Sequence, residues 1–301
     1  MKHFLTDIVY TLIIFLVLAI AGEFLIFANI PNHYSDKYSY VESHKDSIRI
    51  LLMGNSYAEN SIDPTQIGER TFDFAVSARW IFYDKQLLEN FVPRMSNLQV
   101  VVFPMGYKAP FWSSHHYPEN PQPYIDFVHE KYMHCWYDRF PNNIIRWSSI
   151  VQGGNEVNIF ATRQRMADEW MGQVPLEGQR FLWKEEQNIA PEIIDAPDAM
   201  QQVAEYTQYL TDMARTCYEH GVRFIVVTSP CHDSFVENTR PKGIEIMHQI
   251  IEDVRKEYPI EYKDYLQDPA YRADSLYYNC SHLNNIGATK FGAQIKADFH
   301  L

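Results

Sequence analysis

Apolar and polar positions fall in distinct blocks along this chain. The first block, IVYTLIIFLVLAIAGEFLIFANI (residues 8–30), is apolar apart from Glu23 and a few small polar groups. A helix needs about 20 apolar residues to cross a bilayer, and this run supplies them with Glu23 near its outer end. Residues 1–30 therefore read as an N-terminal membrane anchor. Ala19-Ile20-Ala21 has the small-x-small form of a leader cleavage site, so a cleaved signal peptide is the rival reading, and a buried helix of a soluble domain is a third. Continuation of the apolar run past Ala21 favours the anchor. Lys2 and the amino terminus put the positive charge before the span, which predicts an inside N-terminus. The expected location is the inner membrane, single-pass, with the C-terminal domain on the periplasmic side. Residues 31–47, PNHYSDKYSYVESHKDS, are polar and Tyr-rich and read as a stalk.

From residue 48 the pattern changes to short apolar runs separated by helical periodicities. IRILLM (48–53), TFDFAVS (71–77), QVVVFPM (99–105), VRFIVVTS (222–229) and PIEYKDY (259–265) are the strand candidates. Continuous apolar runs of this length suit strands buried on both faces of a parallel sheet. WIFYDKQLLENFVPRM, AMQQVAEYTQYLTDMARTCYEHG, GIEIMHQIIEDVRKEY and NIGATKFGAQIKADF carry apolar residues at helical spacing, and Gly221 closes the second of them as a C-cap. Strands alternating with helices predict an α/β domain over 48–301: three α/β/α layers around a mostly parallel, five-stranded sheet. Ligands of such sheets bind beyond the carboxyl ends of the strands. Residues 107–198 interrupt the rhythm. They are too long for a simple loop and carry Trp136, Trp147, Trp170 and Trp183, which suits an insertion that is a satellite core, a lid or an aromatic sugar-binding wall.

Composition narrows the function. The net charge of −12 leaves no basic face for nucleic acid, which is excluded as a partner. The four cysteines, Cys135, Cys217, Cys231 and Cys280, form no C-x-x-C pair, so a structural zinc site is not expected, although an exported domain could form disulfides.

The candidate chemistry begins at IRILLMGNSYAENSIDP (48–64), where an apolar run ends abruptly in Gly54-Asn55-Ser56. Ser56 is either the cap of the following helix or a nucleophile, and a serine hydroxyl needs a base to be one. NCSHLNNIGATKFG (279–292) places His282 just before the last helix, on a loop able to face the same crevice; otherwise it is a surface histidine. Asn284 or Asn285 could cap that helix. His115-His116 lacks a carboxylate at helical spacing, so no metal is expected. Cys231 with His232 is a conceivable thiol nucleophile, but a buried cysteine is the plainer reading. Arg79 is either a solvated charge or a contact to an acidic sugar.

Gly54-Asn55-Ser56 after the first strand, with His282-Leu283-Asn284 and Gly287-Ala288 before the last helix, resembles the GDSL-like or SGNH hydrolase superfamily, and most of all its membrane-anchored, exported bacterial branch. The resemblance covers roughly 46–106 and 205–301. It implies a flavodoxin-like sheet, Ser56 as nucleophile and its own N–H as an oxyanion donor, and His282 as general base. The second donor would come from Ser77 or Ala78, where the family has glycine. The third block ends in Gly106-Tyr107, where the family has asparagine. The family aspartate three residues before the histidine is here Asn279. In serine proteases, asparagine in place of the triad aspartate lowers turnover about 10⁴-fold, equivalent to roughly 5 kcal/mol. Asp274 or Asp233 could supply the missing acid, or a Ser-His dyad could act alone. The resemblance implies an esterase or acyltransferase acting on O-acetyl or other small ester groups of a cell-surface carbohydrate, with no cofactor. The alternative it leaves is a degenerate binding or assembly protein of an envelope polysaccharide system.

Overall fold

The computed structural model describes residues 2–29, 33–77, 79–111, 171–178, 194–237 and 239–301. The chain divides into two units, one built from 1–34 with 120–165 and the other from 35–119 with 166–301. In the first, helix α1 (Lys2–Asn29) is apolar on every side. His3–Gly22 has a mean hydropathy of 2.5 with none of it buried, so α1 is long and apolar enough to cross a membrane.

The second unit holds the sheet. Its strands are β1 (Ile50–Leu52), β2 (Thr71–Asp73), β3 (Val100–Met105), β4 (Arg223–Thr228) and β5 (Glu261–Asp264), in the order β2-β1-β3-β4-β5. Every pairing is parallel. This is the flavodoxin-like strand order expected, and its topological switch point lies between β1 and β3. Pro104 is tolerated within β3 because β1 has already ended opposite Val102, so no ladder bond calls for the missing N–H.

Alternate residues of each strand face opposite layers. Leu52, Val100, Val102, Ile225 and Val227 share one core with Ile67 of α4 (Pro64–Ile67) and with Phe291, Ile295 and Phe299 of α9 (Asn285–Phe299). Leu51, Val101, Phe224 and Val226 are equally buried and face the other layer. That layer is formed by α5 (Ile81–Phe91), α6 (Ala199–Glu219) and α8 (Pro241–Glu257), with α6 packed against both of the others. Among the described residues two short helices remain, α3 (Ser56–Glu59) and α7 (Asp233–Glu237).

The segment expected to be a stalk is instead largely helix α2 (His33–His44), and from Ser35 it belongs to the domain. Val41 is fully buried, Tyr40 stacks on Phe72 of β2 at 4.3 Å, and Glu42 pairs with Arg94 at 2.9 Å. Lys37, one turn before Val41, is 1% exposed. Its ammonium reaches the Ala75 carbonyl and sits 3.0 Å from Glu59, which is also buried. The aromatic insertion, with its five tryptophans, and the pair His115-His116 lie outside the described residues, apart from 107–111, 171–178 and 194–198.

Candidate active site

Where β1 ends, Gly54 turns the chain with φ +115°, a conformation that L side chains rarely adopt. Its N–H donates to Asp84 Oδ1 at 2.9 Å and its carbonyl accepts from Val76 N at 3.1 Å. Asp84, on α5, is itself paired with Arg79, and both are at most 2% exposed. Arg79 also donates to the Phe74 carbonyl at 2.7 Å. This arginine is a buried anchor of the turn, which corrects both the solvated-charge and the sugar-contact readings.

The turn delivers Ser56 as the first residue of α3, while the Asn55 side chain caps the helix by accepting from Tyr57 N at 3.1 Å. Asn55 performs the capping, so the Ser56 hydroxyl is left for another partner. That partner is His282, whose Nε2 lies 2.8 Å from Ser56 Oγ. The other ring nitrogen, Nδ1, lies 3.0 Å from Asn279 Oδ1. The same Asn279 oxygen accepts from the backbone N–H of His282 at 2.8 Å and of Ser281 at 3.0 Å, and from the Ser281 hydroxyl at 3.3 Å. An oxygen so surrounded by donors accepts from Nδ1–H, which fixes the tautomer with a lone pair on Nε2 facing the serine. Ser56, His282 and Asn279 thus form one hydrogen-bonded chain across 226 residues of sequence separation.

The histidine motif is built from both sides. Leu283 is fully buried in the core. Asn284 caps α9 by accepting from Ile286 N and Gly287 N, both at 3.0 Å, and donates to the Ser275 carbonyl at 2.8 Å. Gly287 is needed because a Cβ there would meet the Leu276 carbonyl at 2.2 Å. The Tyr57 ring stacks on His282 at 5.3 Å. Gly106 makes room for that ring, since a Cβ at 106 would come within 2.3 Å of it.

Among the described residues the Ser56 N–H has no acceptor, so it is available to a developing oxyanion. The expected second donor is corrected. Ser77 N–H and Oγ–H both donate to Glu59 Oε2 at 2.6 Å, the carboxylate being held there by Lys37. Ala78 lies outside the described residues. Gly106 has the packing role just given.

Neither substitute acid reaches the histidine. Asp274 Oδ1 lies 3.1 Å from His232 Nε2, and Asp233 opens α7 without a bond to His282. Cys231 is buried and free, and burial pushes its thiol well above the usual range, so it is not a nucleophile. Among the described residues no cluster of side chains could hold a metal ion.

Burial, with the nearby Lys108 charge, pulls the His282 pKa down to about 4. The ring is therefore neutral and able to accept a proton across the neutral range. The midpoint of His282 protonation is expected near pH 4 rather than near 6.5, measured as an NMR titration of its imidazole. The linkage has the same sign. Between the two values the unfolded chain binds the extra proton, so this stability contribution is complete above about 6.5 and lost as pH falls through 4.

Several of these groups carried no sequence signal. Tyr57, Glu59 and Lys37 sit in segments that read as turn or stalk. Asp84 and Arg79 are separated by five residues, a spacing that matches no motif.

No family model and no curated protein matches the sequence. Among solved structures, the chain is similar to a candidate platelet activating factor from Streptococcus pneumonia, at TM-score 0.46 and 10% identity over 94% of this chain and 99% of that one. It is also similar to a GDSL-like lipase from Bacteroides thetaiotaomicron VPI-5482, at TM-score 0.42 and 11% identity over 88% and 98%. Likenesses of this size carry no argument, and the α/β assignment stands on the sheet order itself.

Proposed function

We propose that this chain is an SGNH-type serine hydrolase or acyltransferase, tethered to the inner membrane by α1 with its sheet domain outside the cytoplasm. The single observation supporting it most is the unbroken chain from Ser56 Oγ through His282 to Asn279 Oδ1, at 2.8 and 3.0 Å, at the carboxyl end of β1. In this reading Ser56 Oγ attacks the acyl carbonyl while His282 Nε2 takes its proton. The tetrahedral oxyanion rests on the Ser56 N–H. Collapse expels the alcohol, which regains the proton from His282, and leaves an acyl-serine. Water then completes hydrolysis, or a second hydroxyl completes transfer. The substrate proposed is a small acyl ester, O-acetyl on a cell-surface carbohydrate, and no cofactor is called for.

The test is labelling of the detergent-solubilised full chain by a fluorophosphonate probe. Labelling of the wild type that falls to background in both Ser56→Ala and His282→Ala is expected. A folded wild type that does not label would favour a second reading, a binding or assembly protein. Two features support that rival: an amide where a carboxylate is usual at 279, and a Ser77 N–H already bound to Glu59.

A further inference from the structure

Two cysteines from distant parts of the chain meet beside the histidine loop. Cys231 stands just beyond the carboxyl end of β4, and Cys280 lies between Asn279 and Ser281, two residues before His282. The backbone joins the two segments directly, because the His232 N–H donates to the Cys280 carbonyl at 3.0 Å. Across such a bond, standard peptide dimensions put the Cα atoms of 231 and 280 roughly 4.5–6.5 Å apart. A disulfide needs Cα atoms about 4.4–6.8 Å apart, so the backbone already has the right span.

The side chains agree. Cys231 Sγ lies 3.9 Å from the Ser281 carbonyl, in the peptide that follows Cys280, and 3.8 Å from the Ser229 carbonyl. Both cysteines are buried, and neither is disulfide-bonded in this structure. Burial raises the Cys231 pKa most, and the charge that Cys280 would carry raises it further, so the two sulfurs share one small buried space. Cys217 lies elsewhere, on α6.

We propose that Cys231 and Cys280 are a disulfide pair that ties the His282 loop to the end of β4. The bond forms by exchange with a disulfide oxidant, either a small molecule such as oxidised glutathione or a protein dithiol in its oxidised form. One cysteine thiolate attacks a sulfur of the oxidant and expels the other half as a thiolate. The second cysteine thiolate then attacks the mixed disulfide, closes the intramolecular S–S bond and expels the remaining half. The two cysteines give up two electrons and two protons, and the oxidant leaves as two thiols. Both sulfurs are buried in the finished fold, so the exchange takes place while this region is still open, during folding. The pairing rests on geometry and not on the hydrolase reading; only its formation in the cell rests on the export part of that reading.

The test uses the full chain in detergent micelles, reduced, freed of reductant and held in sub-denaturing urea with oxidised glutathione in excess. Acid quenching, alkylation and peptide mass spectrometry read the products. A peptide pair linked through Cys231 and Cys280 is expected. After removal of urea the linked chain should melt roughly 4–16 °C above the reduced one, a shift absent from Cys231→Ala/Cys280→Ala. A second arm acid-quenches cells that express the chain, and the same linked pair is expected there. Linkage in vitro with thiols in the cell would uphold the pair and count against export alone. Cys231 and Cys280 recovered in vitro as thiols or glutathione adducts, either of them linked instead to Cys135 or Cys217, or a linked chain that melts like the reduced one, overturns the proposal.

Discussion

Asn279→Asp is expected to raise kcat/KM toward a small acyl ester by between about 10² and 10⁴, the inverse of the loss seen when a triad aspartate becomes asparagine. The geometry already suits a carboxylate. Oδ1 of residue 279 faces His282 Nδ1 at 3.0 Å and receives two backbone N–H groups and a hydroxyl. A charged oxygen there would be well solvated by the protein. The amide orients the ring but cannot stabilise the imidazolium that forms as Ser56 loses its proton; a carboxylate does both. A second consequence follows in the pH profile. With a negative charge beside it, His282 gains basicity, and the acid limb moves upward from about 4. Hydrolysis of p-nitrophenyl acetate across the pH range reads both effects. Unchanged activity in a folded variant would separate residue 279 from the chemistry and strengthen the binding-protein reading.

Arg79→Met is expected to cost about 3–5 kcal/mol of stability, the usual penalty for stranding one member of a buried ion pair. Asp84 would remain buried beneath the Gly54 turn with its charge uncompensated. Burial already raises its pKa, and the Arg79 charge is the largest influence opposing that. The Phe74 carbonyl would lose its donor as well. Such a loss is a large fraction of the 5–15 kcal/mol typical of a domain, and chemical denaturation of the solubilised chain would report it. Arg79→Met combined with Asp84→Asn is expected to recover much of the loss, because the introduced amide oxygen still accepts from the Gly54 N–H and no buried charge remains. A single variant as stable as the wild type would show that the pair is solvated in solution.

The sheet was legible because its central strands β1, β3 and β4 are apolar on both faces, a pattern that survives without tertiary context. All five strand candidates form strands, trimmed by one to four residues at their ends. The last helix runs over 285–299 as read, because Asn284 marks its start chemically. Ser56 and His282 were legible as residues, since one follows the first strand and the other precedes the last helix. Their meeting at 2.8 Å was not, because it depends on how 226 intervening residues fold. Helix α2 was missed for a different reason. Its buried face is carried by Lys37 as well as Val41, and a lysine gives no apolar periodicity. The Ser77 assignment failed through the same residue. Nothing in the local sequence says that Lys37 holds Glu59 where it captures the Ser77 N–H.

Helix α2 also bears on what a proteolytic cut near the N-terminus would do. Lys37 and Val41 are interior parts of the domain, so the domain's own boundary falls upstream of them. A protease acting at Ala19-Ile20-Ala21 would detach the apolar segment and leave the Lys37–Glu59 pair untouched. A cut after His44 would instead strand Glu59 three residues from Ser56. A chain cut at the first place keeps the buried Lys37–Glu59 pair and one cut at the second loses it, so the position of a single cleavage decides whether the interior of the domain stays whole.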